Sequence, residues 1–186
     1  ILLPNSAVAQ ILADTVDFQN AVTIRGATST TIAGTSSVTF GGAIDGDAAS
    51  RSLTVNSPIT AFKGAIGSVN RIGALITDVS GVGDATTLST GIVTADTIEF
   101  KDAITLTETT VLGDGTTTAI SVSGITDTGH SLTLTTSGFG STTITLGGQA
   151  TGLKSLAATA ETILFKGGIV TTTDSQTYTG AATLYA

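Results

Sequence analysis

Phe18-Gln19-Asn20-Ala21-Val22, Phe40-Gly41-Gly42-Ala43-Ile44 and Phe62-Lys63-Gly64-Ala65-Ile66 are three versions of one pentapeptide, each starting 22 residues after the last. The pattern is an aromatic, a free position, Gly, Asn or Asp, a small residue, and an aliphatic. It returns as Phe100-Lys101-Asp102-Ala103-Ile104, as Phe165-Lys166-Gly167-Gly168-Ile169 and, more weakly, as Tyr178-Thr179-Gly180-Ala181-Ala182. The later copies start 38 and 65 residues after their predecessors, so the spacing loosens beyond Phe62. Phe139-Gly140 marks a degenerate copy in the long gap.

Each copy follows a short alternating run, such as Thr15-Val16-Asp17-Phe18 or Thr97-Ile98-Glu99-Phe100. Period-2 alternation puts Val16 and Phe18 on one side of the chain and Thr15 and Asp17 on the other, which is a half-buried strand. Gly, Asn or Asp after the aromatic suits a turn, and a second strand follows, as in Ala21-Val22-Thr23-Ile24. A unit of 22 residues cannot cover its own apolar face, whereas stacked units form a continuous core. The predicted fold is therefore all-β, a parallel β-solenoid of about 22-residue coils, with an antiparallel β-sandwich as the alternative. One repetitive domain spans residues 1–186, and residues 1–10 are set aside as a candidate inter-subunit strand. Phe18, Phe40, Phe62, Phe100 and Phe165 are expected at equivalent inward positions, with Val22, Ile44, Ile66, Ile104 and Ile169 beside them. Leu156–Glu161 alone leans towards helix, and its flanking strands favour a bend in a coil.

Composition narrows the function classes. Apolar residues supply 40% of the chain, aromatics 4% and charged residues 11%, the last less than half of the roughly 25% typical of globular proteins. Thr, Val and Ile favour strands. The net charge of −7 and the lack of a basic stripe argue against nucleic acid and against anionic membrane surfaces. The absence of Cys removes disulfides, thiolate metal sites and cysteine nucleophiles. No run is long and apolar enough for a membrane-spanning helix. The opening Ile1–Gln10 ends like a signal-peptidase site but lacks a basic start, so a first strand is the expected reading.

Phe40-Gly41-Gly42-Ala43-Ile44, Ser52-Leu53-Thr54-Val55 and Phe62-Lys63-Gly64-Ala65-Ile66-Gly67 together resemble the repeats of very large secreted bacterial adhesins. So does the stretch from Val170 to Leu184. The resemblance is to the filamentous-haemagglutinin-like and autotransporter-like β-helical proteins. It implies a right-handed β-helical stalk exported to the cell surface, and it brings no catalytic residues with it.

The side chains that carry chemistry are few. His130 is the only histidine, one short of the simplest two-histidine metal site, and no Gly-x-Ser-x-Gly accompanies it. A polysaccharide-active β-helix would gather carboxylates in a cleft. In the strip Asp96, Glu99 and Asp102, a regular strand sends Asp96 and Glu99 to opposite faces. No enzyme is expected. No cofactor is required either; calcium is the one admitted, at Asp45, Asp47 and Asp114, where Gly-rich turns offer oxygen ligands. Plain Asx turns are the simpler reading of those three residues. Thr-x-Thr recurs at Thr133-Leu134-Thr135 and Thr143-Ile144-Thr145; an ordered-water ladder needs constant spacing, which these pairs lack.

The expected role is thus an extracellular structural or adhesive repeat, a surface fibre or stalk that self-associates. A discrete module recognising a host or matrix glycan or protein is the alternative. Ile1, Leu2, Leu3 and Val8 at one end, and Leu184 and Tyr185 at the other, are apolar and weakly charged. They are the expected assembly residues, by strand addition or end-to-end stacking.

Overall fold

The computed structural model describes residues 8–26, 29–47, 51–77, 84–136 and 141–185. Ile1, Leu2 and Leu3, the side chain of Val8, and Phe139-Gly140 lie outside what is described. Every regular element among the described residues is a strand. The early coils contain β1 (Val8–Phe18), β2 (Val22–Ile24), β3 (Ser29–Phe40), β4 (Ile44–Gly46), β5 (Ser52–Asn56) and β6 (Ile59–Phe62). The middle coils contain β7 (Ile72–Thr77), β8 (Ala85–Leu88), β9 (Ile92–Val93), β10 (Ala95–Leu106), β11 (Thr110–Leu112) and β12 (Ala119–Thr126). The last coils contain β13 (Ser131–Thr135), β14 (Thr143–Leu146), β15 (Ala150–Leu153), β16 (Ser155–Phe165), β17 (Val170–Thr172) and β18 (Gln176–Leu184).

All pairings between these strands are parallel. Strands about 22 residues apart stack on one another, so the chain is a parallel β-solenoid and not an antiparallel sandwich. Its register defines three faces. On the first, one inward column runs Ile11, Ile32, Val55, Thr77, Phe100, Val122, Leu146, Phe165 and Leu184. On the second, Phe18, Phe40, Phe62, Leu88 and Leu106 form a column. On the third, the column is Val22, Ile44, Ile66, Val93, Leu112, Leu134, Ala158 and Tyr178. Alternation does the sorting: along β5 the odd-numbered Leu53 and Val55 are buried while Ser52, Thr54 and Asn56 are half-buried.

The five Phe residues are all buried, but they are not equivalent. Phe18, Phe40 and Phe62 stack ring on ring on the second face, with centroids 5.1 and 5.2 Å apart. Phe100 and Phe165 belong to the first face, where Phe100 lies between Thr77 and Val122 and Phe165 between Leu146 and Leu184. Each aromatic immediately precedes a corner, and the solenoid has three corners per coil. The same pentapeptide therefore turns the second corner in the early coils and the first corner in the later ones. Ile104 is accordingly buried on the second face beside Ile125. Ile169 does not pack inward: it is 46% exposed, and Val170 takes the place against the core.

Glycine closes the tight corner after Phe40 and Phe62. A methyl group on Gly64 would come within 2.4 Å of the Gly42 carbonyl carbon, so these two corners stack with backbone against backbone. Leu156–Glu161 is strand throughout, and the chain bends where the Glu161 N–H turns to the Thr142 hydroxyl, 3.0 Å away.

Val8 pairs with Ser29 of its own chain, so the end of the candidate inter-subunit strand belongs to the first coil. Among the described residues β1 pairs only with β3, and β18 only with β16. Among the described residues, β1 and β2 at one end and β17 and β18 at the other have no strand on their outer side.

Candidate functional site

A cluster of charged residues lies on one edge, the corner between the third and first faces. All three arginines of the chain reach it. Asp47 bridges Arg51 at 2.7 Å and Arg25 at 3.8 Å, and Arg51 also donates to the Gly26 carbonyl at 3.2 Å. Hydrogen bonding from Arg51 holds the Asp47 carboxyl below its ordinary range. Asp45 accepts the backbone N–H groups of Val69 (2.9 Å) and Asn70 (3.2 Å), tying one corner to the next.

Arg71 is the centre of the second cluster. Its guanidinium lies 2.8 Å from Asp96 and 2.9 Å from Asp114, donates to the Ala95 carbonyl at 2.5 Å, and also reaches Thr116. Gly113, at φ +78°, starts the turn in which Asp114 accepts the N–H groups of Thr116 (2.8 Å) and Thr117 (3.1 Å). Partial burial pushes the Asp114 carboxyl up, but the hydrogen bonds from Thr116 and the charge of Arg71 outweigh it and lower its pKa. A shallow groove of about 490 Å³ runs past this cluster.

Asp45, Asp47 and Asp114 therefore share an edge without converging on one point. Each carboxylate already accepts from a backbone amide or a guanidinium, the bonds of Asx turns and ion pairs. Among the described residues no three acidic or histidine side chains gather as a metal-binding group. The geometry of Asp96, Glu99 and Asp102 differs from strict alternation. Asp96 sits at the corner and turns to Arg71, Glu99 faces outward 4.0 Å from Lys101, and Asp102 is buried at 4% exposure with the Thr86 hydroxyl 3.4 Å away. Asp96 and Glu99 both reach solvent because alternation starts only after the corner.

His130 belongs to a turn between the second and third faces. Its Nδ1 is 2.7 Å from an oxygen of the buried Asp127, which also accepts the backbone N–H groups of Gly129 (3.2 Å) and His130 (2.5 Å). Burial raises the Asp127 carboxyl, and the bonds from His130 and the turn amides bring it below the ordinary value. His130 is thus part-exposed against a buried partner that the sequence analysis did not single out; Asp three residues before the His, with Gly between, was the available signal.

An apolar feature lies at the outer end of the last coils. A cavity of about 340 Å³ opens there, floored by Phe165 and walled by Val170, Tyr178, Ala182, Leu184 and Tyr185. Leu184 is 79% and Tyr185 52% exposed. Tyr178 closes one side edge-on to Phe165, with ring centroids 5.0 Å apart. The predicted assembly residues Leu184 and Tyr185 thus stand together beside this cavity, at the end of β18. No helix among the described residues is long and apolar enough to cross a membrane. Comparison with protein-family models, with curated proteins and with solved structures finds no match in any of the three.

Proposed function

We propose that this chain is a non-enzymatic, extracellular structural or adhesive repeat, a section of a surface fibre or stalk that lengthens by end-to-end stacking. The observation carrying this reading is the open end of β18. Its outer edge has no strand beside it among the described residues, while Leu184 and Tyr185 leave apolar surface beside the Phe165 cavity. Such an edge pairs with any strand that offers the complementary row of backbone groups, and doing so buries the apolar side chains at the same time. Within the chain, every coil already covers its neighbour this way. The resemblance to secreted adhesin repeats supports the extracellular setting. The charged edge supports a mechanical role, since its carboxylates and guanidinium groups link coil to coil.

Electron microscopy and sedimentation of the purified chain test the reading. Rods longer than one chain are expected, and Leu184→Lys, which places a charge on the stacking surface, should reduce them to single units. Monodisperse single-chain particles at high protein concentration would overturn stacking. They would favour the discrete glycan- or receptor-binding module instead.

A further inference from the structure

The Thr-x-Thr pairs conspicuous in the sequence are scattered over the molecule: Thr133 and Thr135 are on the third face, Thr143 and Thr145 on the first. A different set falls into register. On the second face Thr87 pairs with Thr105, Thr105 with Thr126, and Thr126 with Thr151. Thr87 stands between buried Thr86 and Leu88, and Thr105 between buried Ile104 and Leu106, so their side chains project to solvent. Four threonines on consecutive coils thus form a row along the axis, spaced by the strand separation of roughly 4.8 Å.

Two further observations bear on what this row can hold. None of its four hydroxyls has a protein partner among the described residues. By contrast, Thr110, Thr117, Thr118 and Thr136 each donate to a backbone carbonyl. The neighbouring outward row is Ile59, Ala85, Ala103 and Gly124, in the same register. Along Ala85–Leu88, Ala103–Leu106 and Gly124–Thr126 the outward positions therefore carry neither charge nor aromatic ring, and hydroxyls stand beside small or aliphatic neighbours.

Water on such a surface is constrained twice. Each hydroxyl anchors a water at the coil repeat, and water against the adjoining methyl groups keeps its hydrogen bonds only by adopting restricted orientations. We propose that the second face, centred on Thr87, Thr105, Thr126 and Thr151, is an ice-binding surface, its hydroxyl repeat matching the spacing of water along rows of an ice crystal face. A crystalline polysaccharide is the other planar ligand with a short repeat. Stacking on sugar rings calls for aromatic platforms, and here Trp is absent and both tyrosines lie at the end of the stack. This site goes beyond the fibre reading and does not depend on it, since it lies on the side of the solenoid and not at its ends.

The test is uptake of the fluorescently labelled chain into a growing ice hemisphere, together with thermal hysteresis of the freezing point. Both are expected with the unaltered protein. Thr105→Lys should abolish both, leaving uptake at the level of an inert control protein, while Ser121→Lys, on the first face, should leave both intact. Circular dichroism of the two variants confirms that each retains its β structure. Absence of ice uptake in the unaltered chain, or uptake that survives Thr105→Lys, would overturn the proposal. Co-sedimentation with crystalline cellulose or chitin without ice uptake would also overturn it, and would assign the face to carbohydrate.

Discussion

The first coils and the later coils are written with the same pentapeptide and packed differently. In the first, Phe18, Phe40 and Phe62 form one stacked aromatic column, and the glycines after Phe40 and Phe62 stack with it. In the later coils Phe100 and Phe165 stand in another column, each flanked by smaller aliphatic or polar neighbours. The difference shows that the motif encodes a local event, an inward aromatic followed by a corner, and does not encode which corner. Register is then set by what precedes it: a side chain two positions out of place would still point inward, but against a different neighbour.

Truncating the aromatic column should have the largest effect. Phe40 is fully buried between two rings, so Phe40→Ala should cost about 3–5 kcal/mol in chemical denaturation. Phe100→Ala should cost less by the stacking contribution, about 0.5–1.5 kcal/mol. Equal losses at the two positions would mean that the columns are energetically alike despite their different neighbours.

Corner glycines give the next contrast. Gly64→Ala forces a methyl group onto the Gly42 backbone and should cost about 1–3 kcal/mol. Gly115, in a later corner, has open space where a methyl would go, so Gly115→Ala should change stability by no more than about 0.5 kcal/mol. Comparable destabilisation at both would show that the close backbone approach at Gly64, which recurs where Gly167 meets Gly148, does not set the cost.

Thr77 sharpens the column assignment itself. It is fully buried between Val55 and Phe100, and its hydroxyl has no partner there. Thr77→Val should therefore stabilise the protein by about 1 kcal/mol, seen as a shift of the denaturation midpoint. A neutral or destabilising result would place that hydroxyl in contact with water or a partner.

The smallest effects belong to the charged edge and the His130 turn. Arg71→Met should cost about 1 kcal/mol or less, reduced further by salt. Asp114 and Asp127 both have carboxyl pKa values lowered by folding. Their stabilisation is present above the unfolded value of about 3.9 and is lost as pH falls through the lower folded value. Denaturation midpoints should accordingly drop below about pH 4, and Asp127→Asn should flatten that part of the profile.

Much of the fold was legible because the first three coils share one length. Constant spacing of Phe18, Phe40 and Phe62, with alternation around each, is enough to imply stacked parallel strands. Equivalence of Phe100 and Phe165 with them was not legible, since all three corners of a coil make the same demand on local sequence. Ile169 shows the same limit, because Val170 beside it is equally suited to packing. The candidate sites divide likewise. Turn chemistry at Asp45, Asp47 and Asp114 reads directly from Gly-rich spacing, whereas Arg25, which also meets Asp47, and Arg71, which meets Asp114, come from other coils. The threonine row was hidden because its members lie at unequal intervals along the chain, and only the strand register brings them into line.

The parallel stack also has a mechanical consequence. The hydrogen bonds that join coil to coil run along the long axis, so tension applied between the two ends loads the outermost ladder alone, like a zipper opened from its end. Coils should peel away singly, at low and similar forces, and not give way together. Each detached coil of about 22 residues supplies roughly 75 Å of extended chain. A rod built this way would lengthen many times over before it parted, dissipating a sudden pull in small steps.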